Sequence, residues 1–210
     1  MDRGKVHDMS AGAGAQLGNR VKRLLHDRSG VAALEFALIV PLLLCLYFVT
    51  MEVAQAIETN KRVGRVGSMV ADLVTQQQTM SKDELEAIMR IGEATLQPYN
   101  RSQPDITITA IEVVDESTAK VVWSRKLVEG APEVGDAKDK PVTDLPSTLK
   151  ITGSFLIRAE SSLEYKPIIT WVASAKSTLG LASAFDGISM KETYYLRPRM
   201  STTIPCDNCY

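Results

Sequence analysis

The feature that most constrains this chain is an apolar run of 21 residues, VAALEFALIVPLLLCLYFVTM, from Val31 to Met51. A helix rises about 1.5 Å per residue, so a run of this length covers about 30 Å, the thickness of a bilayer's hydrocarbon core. Glu35 is the only charged residue in the run, and a carboxylate inside a membrane span costs roughly 2.5 to 3.5 kcal/mol on insertion scales. The run predicts a membrane-spanning helix whose glutamate requires a functional explanation.

The charges on either side of this run predict its orientation. Residues 1–30 contain six basic and three acidic side chains, which gives +3 and leaves −4 for the rest of a chain whose formal total is −1. Basic residues favour the cytoplasmic side of a span. We therefore expect a basic cytoplasmic leader (1–30), a transmembrane helix (31–51) and an extracytoplasmic domain (52–210).

Three ordinary interpretations of the apolar run compete with one that explains Glu35. A buried core helix is disfavoured, because such helices rarely lack polar residues on every face over this length. A cleaved secretory signal gains support from the small-x-small sequence Ala54-Gln55-Ala56. Its apolar region would, however, contain a glutamate and a proline and exceed the usual length of roughly 7 to 15 residues. An uncleaved single-span anchor remains open, although it leaves Glu35 unexplained.

The residues at the start of the run form a recognisable pattern. Gly30 precedes Val31, Glu35 is the fifth residue after the glycine, and Phe36 is the sixth. This pattern resembles the processing site of type IV prepilins and pseudopilins, in which a membrane peptidase cuts after the glycine. The resemblance implies a new ammonium group on Val31, which Glu35 of a neighbouring helix neutralises inside an apolar bundle. Glu35 and Phe36 would then set the register of assembly.

A longer stretch, GVAALEFALIVPLLLCLYFVTMEVAQAI, resembles the start of the TadE-like family of the tight-adherence pilus system. Pro41 fits a span that can bend. LEYKPI (163–168) and YLRPRM (195–200) are similar to later segments of the family and add weaker support. The resemblance implies a minor pilin or pseudopilin of the bacterial inner membrane that contributes to assembly of a tight-adherence pilus, and so to surface attachment, and that can be extracted into the pilus. It also implies partners: a prepilin peptidase, other pilins and pseudopilins, and an assembly platform with its ATPase.

Periodicity predicts two helices in the first half of the outer domain. From Glu52 to about Gln78 apolar residues recur at spacings of three and four, which predicts that the membrane helix continues outward. Gly64 and Gly67 either weaken this helix or let another backbone approach it closely. A second helix is expected to begin at Ser81, whose side chain can form a capping box with Glu84, and to end before Pro98.

Alternating patterns after residue 105 predict strands. Ile106–Val113 and Lys120–Arg125 are expected to form a hairpin, Glu129–Ser147 an exposed loop, and Leu149–Ile157, Ser162–Ile169 and Thr193–Leu196 further strands. A long N-terminal transmembrane helix that continues into a domain with a second helix and an antiparallel sheet is an α+β arrangement. The pilin resemblance implies the same fold class.

The cysteines agree with an extracytoplasmic domain. Cys206 and Cys209 are the two cysteines outside the apolar run, and a pair in an oxidising compartment tends to form a disulfide. Because the loop that they close is so short, chain entropy stabilises it little. An inert clasp is favoured over a redox role or an intermolecular partner. Cys45, inside the run, is expected to be a small buried apolar side chain.

The sequence contains no recognisable catalytic set. Both histidines, His7 and His26, fall in the leader, so the outer domain cannot build a Ser-His-Asp or Cys-His arrangement or a usual zinc site. We expect no enzyme activity, no metal and no cofactor. Nucleic acid is excluded as a partner because the outer domain is acidic and lacks a basic stripe. The alternative functions are an uncleaved membrane-anchored envelope or adhesion protein, and a secreted enzyme released at Ala56.

Overall fold

The computed structural model describes residues 30–97, 99, 101–167 and 188–209. The chain divides into two compact units, of which the first ends at Met51 and the second begins at Glu52. The described residues form a long apolar helix, a second helix and a five-stranded antiparallel sheet. The predicted α+β fold class is thereby confirmed.

The first helix, α1 (Val31–Thr75), is 45 residues long and has Pro41 in its interior. Every residue from Val31 to Met51 is exposed except Val40, which is half-buried. The helix is long and apolar enough to cross a membrane. The predicted continuation beyond the apolar run is also confirmed, since the helix ends three residues before the expected limit near Gln78.

In the second unit α1 becomes amphipathic, with buried valines at 63, 66, 70 and 74. A short strand, β1 (Met80–Ser81), leads into the second helix, α2 (Lys82–Ala94). Ser81 and Glu84 form the predicted capping box. Gly92 lets α2 approach α1 closely, because a Cβ at this position would lie 2.7 Å from a methyl group of Val70.

The sheet has the strand order β4-β3-β2-β5-β6, and each neighbouring pair is antiparallel. Its strands are β2 (Asp105–Val113), β3 (Ala119–Val128), β4 (Ala131–Val134), β5 (Phe155–Tyr165) and β6 (Ile188–Leu196). A two-residue strand, β7 (Cys206–Asp207), pairs in parallel with β1. The predicted hairpin is β2 and β3, with β3 three residues longer at its end than expected.

The two faces of the sheet carry separate apolar clusters. The helix-facing cluster includes Val63, Val70, Met89, Ile106, Ile108 and Trp123, and the opposite cluster includes Ile111, Val113, Val121, Val142, Leu145 and Leu156. A bulge in β3 at Val122 shifts the register, so that Trp123 pairs with Ala110 while Val121 pairs with Ile111. Because of this extra residue, Trp123 and Val121 contribute to opposite faces.

The prediction of an exposed loop over residues 129–147 is wrong at its start. Residues 131–134 form β4, which pairs with the last four residues of β3. Glu129 (φ 49°) and Gly130 (φ 76°) both adopt positive φ, as a two-residue hairpin turn requires. The Gly, Pro and Asp residues of this stretch predicted a loop, although four of its residues form a short edge strand.

The prediction of two strands at 149–157 and 162–169 is also wrong over the described residues. Residues 155–165 form one strand, and residues 147–149 form a single 3-10 turn. The polar residues that seemed to interrupt the strand are themselves buried and have partners: Arg158 pairs with the exposed Asp144 at 3.0 Å, and the Ser161 hydroxyl donates to the Val63 carbonyl at 2.9 Å. Ile168 and Ile169 lie outside the described residues.

The last predicted strand is present but longer. It was expected at Thr193–Leu196, and β6 begins at Ile188. The register pairs its first residue with Tyr165 and its last with Ile157, so it follows nearly the whole of β5.

Candidate membrane and assembly segment

The predicted processing and register residues all lie at the start of α1 or directly before it. Gly30 is exposed, and a Cβ placed on it would meet nothing within 4 Å. Val31 and Phe36 are exposed to 49% and 70%, and Glu35 is exposed as well. Val31 and Glu35 are four residues apart and therefore share one face of the helix. The first unit thus presents an accessible glycine followed by an exposed apolar helix with one carboxylate.

The Cys45 side chain is exposed on α1 among the described residues. Its expected burial concerns a helix within a membrane, so that expectation stays a prediction. Among the described residues, the apolar run has no protein surface covering it, so each of its faces is open.

Glu52, the residue that follows the apolar run, belongs to a buried polar cluster in the second unit. It is 9% exposed, and its Oε1 accepts a hydrogen bond of 2.6 Å from the Tyr165 hydroxyl. The Arg101 guanidinium lies 4.0 Å from the same oxygen. A buried carboxylate needs such donors, because an unpartnered charge in an apolar core is costly. We call Glu52, Tyr99, Arg101 and Tyr165 the Glu52 cluster.

Aromatic stacking holds Arg101 in place within the Glu52 cluster. Tyr99 and Tyr165 stack with ring centroids 5.5 Å apart, and the Arg101 guanidinium lies 4.8 Å and 5.5 Å from the two centroids. Arg101 also donates to the Lys166 carbonyl at 2.9 Å. These contacts connect α1, the segment before β2 and the end of β5.

The Glu52 cluster changes the acidity of its tyrosine. Burial, followed by the hydrogen bond and the negative charge of Glu52, raises the pKa of Tyr165 to about 12, while Arg101 acts in the opposite direction. The phenol therefore stays protonated at physiological pH and acts as the donor to the carboxylate.

The two glycines of α1 that the sequence left open have a packing role. A Cβ on Gly67 would lie 2.9 Å from the Ser161 Oγ and 3.0 Å from the ring of Tyr194, and a Cβ on Gly64 would lie 3.0 Å from the Tyr194 hydroxyl. The close approach is made by side chains of β5 and β6. The sequence left two roles open for these glycines, a weak point in the helix or the close approach of another backbone. The geometry supports close approach, but by side chains.

The Glu52 cluster was missed from the sequence, although part of its signal was present. Tyr165 lies in LEYKPI, one of the segments that carried the family resemblance. Arg199, in the YLRPRM segment, forms an ion pair with Asp72 at 2.7 Å, and its amide donates to the Thr75 carbonyl. Both segments therefore attach to α1 within the second unit. Pairing Tyr165 with Glu52 required the fold, since 113 residues separate them.

Over the described ranges, no group of three or more His, Cys, Asp or Glu side chains is placed to hold a metal ion. The structure pairs Cys206 with Cys209 as a disulfide in the second unit.

Comparison with known proteins agrees with the resemblance seen in the sequence. A family model described as TadE-like protein matches residues 30–72. The match begins at the predicted processing glycine, includes the whole apolar run and extends into the amphipathic part of α1. No curated protein and no solved structure matches the chain. The matched residues include the part of α1 that is long and apolar enough to cross a membrane.

Proposed function

We propose that this chain is a minor pilin or pseudopilin that a prepilin peptidase processes after Gly30, and that it contributes to assembly of a tight-adherence pilus and so to surface attachment. The observation that carries the proposal is the TadE-like match over residues 30–72, which starts at Gly30 and covers the exposed apolar helix with Glu35. In this proposal the chain acts as a structural subunit and catalyses no reaction.

The proposed location is the bacterial inner membrane, with residues 31–51 in the bilayer and residues 1–30 in the cytoplasm. The excess of positive charge before the apolar run supports this orientation. The domain from residue 52 onward then faces the extracytoplasmic side. In the membrane the helix stores the subunit, and in a fibre the same apolar surface packs against other helices.

The proposed chemistry of assembly is charge pairing in an apolar environment. Hydrolysis of the Gly30–Val31 peptide bond leaves a carboxylate on Gly30 and an ammonium group on Val31. Glu35 of one subunit then pairs with the Val31 ammonium of its neighbour, which removes the cost of two isolated charges. The partners are other pilins and pseudopilins, the prepilin peptidase, and an assembly platform with its ATPase.

The rival interpretation as a secreted domain released at Ala56 loses support from the geometry. Cleavage there would remove Glu52, which accepts a hydrogen bond from Tyr165, and Gln55, which lies 3.4 Å from Arg101. Ala56 itself packs against the helix-facing cluster. An uncleaved single-span envelope or adhesion protein is the remaining alternative, and it differs from our proposal in the fate of the leader.

The first experiment determines the N-terminal sequence of the mature protein from the native envelope, with and without the prepilin peptidase. We expect a start at Val31 only when the peptidase is present. A Gly30→Leu variant should retain its leader, whereas Gly18→Leu, a control within the leader, should be processed normally. A mature protein that keeps Met1 in the presence of the peptidase would support the uncleaved anchor, and a start at Ile57 the secreted domain.

The second experiment separates processing from assembly. Glu35→Gln removes the carboxylate charge while keeping its shape, so we expect normal processing but at least about a tenfold loss of pili, equivalent to about 1.4 kcal/mol. The control is Glu58→Gln, because Glu58 is also a glutamate of α1 but lies outside the predicted span and pairs with Arg62. Equal piliation in both variants would argue against the role of Glu35.

A further inference from the structure

The segment 197–209, which we call the carboxy-terminal segment, docks on the rest of the second unit through a small set of contacts, among them a hydrogen bond of 2.9 Å from the Arg199 amide to the Thr75 carbonyl. The Ile204 carbonyl accepts a hydrogen bond of 2.7 Å from the Trp123 indole, and the Pro205 carbonyl accepts one of 2.9 Å from the Met80 amide. The parallel pairing of β7 with β1 extends over two residues. The ion pair between Arg199 and Asp72 is largely exposed and contributes little.

Three side chains of the carboxy-terminal segment enter the helix-facing cluster: Ile204 at 0% exposure, Cys206 at 4% and Cys209 at 0%. Two of the three are the disulfide-bonded cysteines. The contribution of the segment to the core therefore depends mainly on where these two sulfurs point.

Backbone geometry explains why the sulfurs need to be joined. In an extended strand, residues three apart point to opposite faces, so Cys206 and Cys209 cannot both enter the core. Asn208, between them, has φ 61°, and the resulting turn brings their Cα atoms to 5.7 Å. Left-handed φ is uncommon for a residue other than glycine, although asparagine tolerates it better than most. A covalent bond across the turn keeps both side chains on the buried side.

We propose that the Cys206–Cys209 disulfide is the lock that allows the carboxy-terminal segment to dock, and that it forms before docking. In the docked state neither sulfur can be reached by a protein oxidant, because both side chains are buried. Oxidation must therefore occur while the segment is undocked. The partner implied by this chemistry is a dithiol–disulfide oxidoreductase in the extracytoplasmic compartment, so the biological setting rests on the location proposed above.

The thiol–disulfide exchange with the oxidoreductase has two steps. The thiolate of one cysteine attacks the disulfide of the oxidoreductase, which forms a mixed disulfide and releases one enzyme thiolate. The second cysteine then attacks the mixed disulfide, which closes the Cys206–Cys209 bond and releases the other enzyme thiolate. The chain loses two protons and two electrons, and the oxidoreductase leaves in its dithiol form.

The test uses the full chain in detergent micelles. Both forms carry Cys45→Ala and Trp171→Phe, so that Cys206 and Cys209 are the remaining cysteines of the disulfide form and Trp123 is the remaining tryptophan. The disulfide form is compared with a Cys206→Ala/Cys209→Ala variant, which keeps apolar side chains at both buried positions.

The fluorescence emission of Trp123 measures loss of its hydrogen bond to Ile204. Tryptic cleavage after Arg199 reports undocking, since Pro198 protects the bond after Arg197. We expect a red shift and cleavage at least roughly tenfold faster in the alanine variant, because no covalent bond then holds the turn at Asn208 with both side chains on the buried side.

Cleavage after Arg125, a 4% exposed residue of β3, distinguishes undocking from unfolding of the whole unit. Resistance at Arg125 with rapid cleavage after Arg199 supports the proposal, and unchanged emission and cleavage overturn it. If Arg125 is also cleaved, the alanine variant has unfolded as a whole. The proposal is then tested by the reduction kinetics of the parent disulfide form. A reduction rate that reaches a plateau with rising dithiothreitol shows that undocking must precede exchange, and a rate as fast as that of the same disulfide in the denatured chain overturns the proposal. Neither readout depends on processing at Gly30 or on cellular location.

Discussion

Two glutamates on the same helix have different surroundings. Glu35 is exposed on the apolar part of α1, where we propose that its charge pairs with another chain. Glu52 is buried and accepts a hydrogen bond from Tyr165 within its own unit. A buried carboxylate with a donor and a nearby guanidinium stabilises a specific packing, whereas an exposed one in an apolar run stabilises little until a partner arrives.

Replacement of Tyr165 by phenylalanine should measure the contribution of the Glu52 hydrogen bond. The change removes the hydroxyl that lies 2.6 Å from the carboxylate and leaves a buried acceptor short of a donor. We expect a loss of about 1 to 3 kcal/mol in the free energy of unfolding. Denaturant titration of the full chain in detergent measures it, with Tyr194→Phe as the control. A loss equal in both variants would mean that removing a tyrosine hydroxyl has the same cost without the Glu52 bond, and would contradict a specific contribution from that bond.

The same tyrosine predicts a pH dependence at high pH. Its pKa is raised from 10.0 to about 12 in the folded chain, so between these values the unfolded phenol loses its proton and the folded one keeps it. The unfolded state then binds fewer protons, and stability falls as pH rises. The stabilisation is complete below about pH 10 and lost as pH passes 12. Thermal unfolding from pH 9 to 12 should show this decline in the parent and a shallower one in Tyr165→Phe.

At the scale of elements, α1 combines two surfaces of different character. Its first 21 residues expose apolar side chains on all faces, and its remainder buries one valine-lined face against the sheet and α2. Close packing to the sheet depends on absent side chains at Gly64 and Gly67. A hydrogen bond from the Ser161 hydroxyl to the Val63 carbonyl fixes the approach at the same place.

A Gly67→Ala substitution tests this packing, because two effects of opposite sign compete. Alanine favours the helix over glycine by about 1 kcal/mol, whereas overpacking costs typically about 1 to 3 kcal/mol. Ser161 is held by its bond to Val63 and cannot withdraw freely, so we expect a net loss of stability. Asn60→Ala, at an exposed position of α1, should be neutral or stabilising. A gain for Gly67→Ala in denaturant titration would show that Ser161 and Tyr194 can move aside.

At the scale of the whole molecule, the second unit has its own core and begins at Glu52. Its apolar clusters occupy both faces of the sheet, and the segments that close it include the first turn of α1 after the apolar run. We therefore predict that the folding unit begins no later than Glu52, upstream of the small-x-small sequence at Ala54.

Two fragments test where the folding unit begins. A fragment of residues 51–210 retains Glu52 and Gln55, and a fragment of residues 57–210 lacks both. We expect the shorter fragment to unfold at a lower temperature, by about 2 to 4 °C for each kcal/mol lost. Differential scanning calorimetry of both fragments measures the difference. Equal Tm values would mean that release at Ala56 is compatible with a stable domain.

The sequence by itself determined the features that depend on neighbouring residues. The 21-residue apolar run, the amphipathic continuation of α1 and the capping box at Ser81 follow from local spacing, and each was predicted correctly. The pattern around Gly30 and Glu35 was also readable, because its residues are adjacent. Only the tertiary structure decided what the polar residues of β5 pair with and which residues meet across the chain. Glu52 meets Tyr165, Arg199 meets Asp72, and β7 joins β1, because folding brings distant groups into contact where burial requires each polar atom to find a partner.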